Sequence, residues 1–62
     1  MTERVCVMAH AGNFMSVKKV LGDSIREIDY PTKEDPSYLI RAEVPVNMIQ
    51  TIRDNLAGIL GK

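Results

Sequence analysis

Two residues in this 62-residue chain carry reactive side chains found nowhere else in it: Cys6, the single thiol, and His10, the single imidazole. They sit in the stretch RVCVMAH, with AGNF following. Thiolate chemistry requires a base within hydrogen-bond reach and a third group to orient that base. Along an extended strand, positions i and i+4 are separated by roughly 13 Å, so the pair meets only if the chain turns at Ala9. Zinc would want four ligands, and beyond one Cys and one His only carboxylates remain to supply them. No metal or cofactor site is therefore expected. Cys6 reads as structural, and His10 as a strand-end residue at the mouth of a loop. A small oligomeric enzyme or ligand-binding protein using Cys6 and His10 is the alternative kept open.

Other candidate chemistry is thinner. The AGN stretch before a helix start resembles an anion cradle in outline, but one glycine falls short of a phosphate loop and no Lys-Ser pair follows. Capping by Asn13 explains it better. Glu34 and Asp35 sit in a polar turn with no burial to raise a carboxyl pKa. Lys18 and Lys19, with Arg26 and Arg41, are candidate contacts for phosphates, those of an RNA only on the resemblance given below, against the simpler reading of a solvated helix face.

The elements that must position these residues follow from periodicity. Arg4 to Ala9 is valine-rich and reads as a strand, with Val5 and Val7 on one face and Cys6, Met8 and His10 on the other. AGNFMSVKKVLGD reads as a short helix. Phe14, Val17, Val20 and Leu21 lie on one side, Lys18 and Lys19 on the other, and Gly22 stands at the stop. SIREIDYPTKEDPSYLIRAEV reads as a hairpin. Ile28 and Tyr30 alternate with Glu27 and Asp29, and Tyr38, Ile40, Ala42 and Val44 alternate with Leu39, Arg41 and Glu43. PTKEDP is the loop between them, and Ile25 fits the alternation least well. PVNMIQTIRDNLAGILGK reads as a longer amphipathic helix with Pro45 in its first turn, a stripe of Ile49, Ile52, Leu56, Ile59 and Leu60, and Gly61 at its end. Close approach of another helix is one reason for keeping Gly58 inside it.

The predicted order is β-α-β-β-α in one α+β domain spanning residues 1–62. The economical packing is a three-stranded mixed or antiparallel sheet with both helices on one face. The first helix is a crossover, so strands one and two are expected to be parallel or separated by the third, with right-handed chirality. The opposite face then carries Cys6, Met8 and Leu39 beside Arg41 and Glu43, which leaves it half apolar and wanting a partner.

Composition bounds the function. Eight basic and eight acidic residues cancel, which argues against a stand-alone nucleic-acid binder, although a local basic patch stays open. No apolar run reaches the ~18 residues of a membrane span and no leader pattern is evident. One cysteine excludes an intrachain disulfide. A cytoplasmic protein is the expectation. At 45% hydrophobic residues the chain is not a disordered tail. A domain this small buries only about 60% of its unfolded surface, so a second chain is often recruited to complete the burial. The residues expected to meet such a partner are Met48, Ile49, Ile52, Leu56, Ile59 and Leu60 on the last helix, with Cys6 and Met8 on the first strand.

The whole pattern, RVCVMAHAGNFMSVKKVLGD followed by SIREIDYPTKEDPSYLIRAEVPVNMIQTIRDNLAGIL, resembles the small dimerisation subunit of the KEOPS complex. That archaeal and eukaryotic assembly helps make threonylcarbamoyladenosine in tRNA. The family usually opens its last helix with Leu-Arg-Ala and a following Asn-Ser. Here Met48-Ile49 and Arg53-Asp54 stand in those places, which is closer to a diverged archaeal paralogue that pairs with the regular small subunit as a fifth component. The resemblance implies a non-catalytic accessory subunit of a tRNA-modifying complex. It would form a homodimer or heterodimer, bridge copies of the catalytic subunit, and reach tRNA through the complex.

Overall fold

A computed structural model describes residues 1–61, so Lys62, the last residue of the predicted helical stretch, lies outside the described residues. The order is strand β1 (Thr2–Ala9), helix α1 (Phe14–Leu21), strand β2 (Ile25–Asp29), strand β3 (Tyr38–Pro45) and helix α2 (Ile49–Leu60). The sheet order is β1-β3-β2, and β3 pairs antiparallel with both neighbours. β1 and β2 thus run in the same direction with β3 between them, and α1 makes the crossover.

Period-two alternation sorts β3 cleanly. Ile40, Ala42 and Val44 are buried, while Arg41 and Pro45 are exposed. Val7 and Ala9 of β1 join them, and Val17 and Leu21 of α1 with Ile52 and Leu56 of α2 cover this side. Both helices therefore pack on one face, as apolar stripes at helical spacing require. Val5, Ile25, Ile28, Ile49 and Ile59 close the margins of the core.

The poor fit of Ile25 to a strand pattern has a structural cause. Ile25 lies opposite Ala42 and Glu27 opposite Arg41, so Arg26 is the extra residue of a bulge. Bulging lets Ile25 and Ile28 both lean toward the core although they are three residues apart. Tyr30 lies beyond the strand and is exposed. It packs edge-on against Tyr38 at 5.9 Å between ring centroids, and Tyr38 stacks on Phe14 at 4.1 Å. All three aromatic residues of the chain meet at this end of the sheet.

Three local expectations are corrected. Pro45 is the last residue of β3, opposite Thr2, rather than the first turn of a helix. The Val46 N–H donates to the Met1 carbonyl at 3.1 Å, so pairing continues to Val46. A single 3-10 turn (Val46–Met48) then leads into α2. Proline suits that strand end because it has no N–H to give the ladder. Asn13 opens α1 through its carbonyl, which accepts from Val17 N–H at 3.0 Å, but its side chain makes no bond to the helix. Gly58 makes no close approach within the chain, since a Cβ on it would have nothing within 4 Å.

Candidate functional site

Cys6 sits mid-β1 with its side chain on the uncovered face, opposite Arg41 in the register, and its thiol is exposed and free. β1 stays extended through Ala9, so the ~13 Å strand separation from position 6 to position 10 holds. His10 begins the turn into α1, and its ring serves that turn. The Gly12 N–H donates to Nδ1 at 3.0 Å, and the Asn13 side chain accepts from the His10 N–H at 2.9 Å. Nε2 lies 3.1 Å from the Asn13 amide nitrogen; a neutral imidazole has one acceptor nitrogen, so the ring accepts from either Gly12 or Asn13 and not from both. A Cβ on Gly12 would lie 3.0 Å from the ring, so a larger residue there would have to push the exposed imidazole aside by a few tenths of an ångström. The thiol and the imidazole are not brought together. Among the described residues no three His, Cys, Asp or Glu side chains are grouped to hold a metal ion.

The uncovered sheet face is organised by charge. Arg41 Nη1 donates to Glu27 Oε1 at 2.6 Å and to Asp29 Oδ2 at 2.7 Å, across the β2–β3 ladder. The hydrogen bond to Asp29 is the main reason the Arg41 guanidinium pKa is raised, with the charge of Asp29 next. Arg4 lies 3.8 Å from Glu43, its partner in register on β3. Arg26, at the bulge, donates to the Asp23 carbonyl at 3.1 Å. Arg4, Arg26, Arg41, Glu27 and Glu43, with Cys6, line a shallow depression of about 380 Å³. Arg4 and Arg41 are matched to carboxylates there, while Arg26 is held by a backbone carbonyl. Alternation of Glu27 and Asp29 against Arg41 held the signal for this network.

The four candidate RNA contacts divide between two faces. Lys18 and Lys19 project from α1 in the helix layer, with Lys18 Nζ 6.0 Å from the Phe14 ring centroid. Arg41 lies on the other side of the sheet and Arg26 at its bulged margin. No single surface gathers them.

The candidate partner-contact residues also divide. Ile52 and Leu56 belong to the chain's own core, and Ile49 and Ile59 pack half-buried against it. Met48 and Leu60, at the two ends of the stripe, remain exposed. Cys6 and Met8 lie exposed on the opposite face, with Met8 beside Leu39 in register.

Strand order makes the outer edge of β1 a second candidate surface, since it places RVCVMAH at an open edge of the sheet. The two edges of the sheet differ. β2 is five residues long, bulged and charged, all devices that keep an edge from pairing. β1 is eight residues long, runs in unbroken register, and contains no proline. Every second residue of such an edge turns its N–H and C=O outward with no strand to meet them. Beside that edge, under α2, runs a groove of about 470 Å³ lined by Val5, Val7, Ile49, Ile52, Arg53 and Leu56. Pairing surface and apolar surface are therefore side by side, which is the chemistry of strand addition. Among the described residues no helix is long and apolar enough to cross a membrane. Comparison of the chain with protein-family models, with curated proteins and with solved structures gives no match.

Proposed function

We propose that this chain is a non-catalytic interaction subunit, acting by docking into a larger assembly through the edge of β1 and the groove beneath α2. The observation that carries the reading is the contrast between the two sheet edges: one is shortened, bulged and charged, and the other is long, regular and flanked by apolar side chains. The best candidates for chemistry point the same way, since His10 shapes its own loop and Arg41 is tied to two carboxylates.

The assembly we propose is the KEOPS complex, with the chain as an accessory subunit in making threonylcarbamoyladenosine in tRNA. Support comes from the residue patterns quoted above and from the β-α-β-β-α order. On this reading its partners are a like or paralogous small subunit and the catalytic subunit, and tRNA is reached through the complex. A tagged chain expressed in its native organism, purified gently and analysed by mass spectrometry, tests both levels. Stoichiometric KEOPS subunits are expected. Recovery of a defined but unrelated complex would reject the KEOPS assignment alone. A chain that elutes without companions, and whose exposed Cys6 is protected from a disulfide reagent by a small-molecule ligand, would reject the interaction reading in favour of a ligand-binding one.

A further inference from the structure

We propose that the turn from His10 to Asn13 is a proton-operated latch: neutral imidazole holds it shut, and imidazolium releases it and loosens the start of α1 in mild acid. The latch belongs to this chain alone and needs no partner.

The polar groups that meet the ring are donors. The Gly12 N–H points at Nδ1 from 3.0 Å, and the Asn13 amide nitrogen lies 3.1 Å from Nε2. That amide is held the way round it is, because its oxygen accepts the His10 N–H at 2.9 Å. Both ring nitrogens therefore face N–H groups. A neutral imidazole keeps one lone pair and meets one of the two donors. An imidazolium carries a proton on both nitrogens and meets neither. Protonation thus sets N–H against N–H on both sides of the ring, and the shut turn loses its side-chain acceptor.

Neighbouring charges do not offset this. The ring sits at a hollow of about 340 Å³ lined by Gly12 and Asn13 of the turn, Ser16 of α1, and Gly58 and Ile59 of α2. None of these carries a charge. The first turn of α1 has no acidic residue, and its last turn holds the cations Lys18 and Lys19. The α1 amino terminus adds a partial positive charge, which disfavours a second cation beside it. On β1 the closest ionisable side chain in sequence is Cys6, ~13 Å away along the strand. On β3, Tyr38 stands opposite Ala9 in register, and a phenol stays neutral in acid. On α2, Arg53 and Asp54 lie outside the lining of the hollow, and the Asp54 carboxylate accepts from the Gln50 amide at 3.0 Å. Among the described residues His10 has no ion-pair partner.

The turn holds more than itself. The His10 carbonyl accepts the Asn13 and Phe14 N–H groups at 3.0 and 2.8 Å, and the Asn13 carbonyl accepts the Val17 N–H at 3.0 Å. Phe14, the first residue of α1, stacks on Tyr38 at 4.1 Å. A protonated ring that swings out to water frees the Asn13 side chain and unclamps these bonds. The end of the helix layer beside the hollow is then the part that opens. Because the folded turn favours the neutral ring, the unfolded chain holds more protons in mild acid. Stability is therefore full above the range in which imidazoles titrate, and falls as pH drops through it, from about 8 to about 5.

Urea titrations of the full chain at pH 7.5 and 5.5 read the latch, with His10→Asn as the reference. Asparagine keeps a side-chain acceptor oxygen near the Nδ1 position and does not titrate. Groups other than His10 titrate in both proteins and cancel. Acid should raise the unfolding constant of wild type about fivefold more than that of His10→Asn, the worth of one net hydrogen bond. Asn13→Ala removes one of the two donors and should shrink that excess to about twofold. In wild type alone, NMR should show the Gly12 amide proton moving upfield as the ring takes its proton, as a lost hydrogen bond requires. An acid loss in His10→Asn as large as that of wild type overturns the latch. So does a Gly12 amide proton that stays put or moves downfield while His10 titrates.

Discussion

Replacing Ile40 with alanine probes the packing on which everything else rests. Ile40 is fully buried at the centre of β3, opposite Val7 on one side and Ile28 on the other. Removing three carbons forfeits about 2.4 kcal/mol of transfer free energy at ~0.8 kcal/mol per methylene. The cavity left behind adds to this, and measured Ile→Ala changes run about 2–5 kcal/mol. A 62-residue chain at ~0.05–0.15 kcal/mol per residue has about 3–9 kcal/mol in all. At ~2.1 cal/mol/K per residue its unfolding entropy is about 130 cal/mol/K, so a loss of ~3 kcal/mol lowers Tm by about 23 °C. Leu39, the next residue, faces the uncovered side and is half-buried. Leu39→Ala should cost about 1 kcal/mol or less, a shift of under ~8 °C. Thermal melts of both variants by circular dichroism, in dilute solution, give the comparison. Equal losses would refute the reasoning, because they would mean that the face drawn as open is covered or that β3 is turned over.

Further outcomes are fixed by local geometry. Gly58→Ala adds a methyl with nothing within 4 Å and should stabilise α2 by about 0.5–1 kcal/mol, seen as a higher Tm. Gly12→Ala sets a Cβ 3.0 Å from the His10 ring, so the imidazole must shift and its bond from the Gly12 N–H weakens, costing about 0.5–1.5 kcal/mol. Adding His10→Ala should recover part of that loss in denaturant titrations, and strictly additive losses would contradict the clash. Gly22 holds φ +51° and ψ −127° at the end of α1, so Gly22→Ala should cost about 1–3 kcal/mol by the same titrations. Arg41→Gln removes both charge pairs from the uncovered face. A raised guanidinium pKa means the stabilisation is fully present below the ordinary arginine value and is lost only as pH rises through the folded value, in strong alkali. Arg41 therefore stays charged at neutral pH and salt is the useful variable: the difference between wild type and Arg41→Gln should shrink in molar salt.

Much of the fold was legible because binary patterns are local. The alternation over Tyr38–Val44 predicts which side of β3 is buried, and the spacing of Val17 and Leu21, and of Ile52 and Leu56, predicts the helix faces that cover it. Where the pattern failed, an extra residue was responsible. The bulge at Arg26 shifts the period by one, and no single-strand pattern can carry that shift. Pro45 misled because its fixed φ suits both a helix start and a strand end, and only pairing with Thr2 decides between them. The site was harder to read because it is made by pairing order. Nothing in RVCVMAH says which edge of which neighbour it occupies. Of the α2 residues expected to meet a partner, Ile52 and Leu56 are core and Ile49 and Ile59 lie half-buried against it. The remainder lies at Met48 and Leu60 and in the groove that β1 leaves open.

Amide hydrogen exchange along β1 tests the central claim most directly. Edge docking predicts that all seven amides from Glu3 to Ala9 are protected in the native complex, and that alternate ones lose protection when the chain is released from it. Alternate β1 amides that exchange freely at every concentration, in the isolated chain and in its native complex alike, would contradict it.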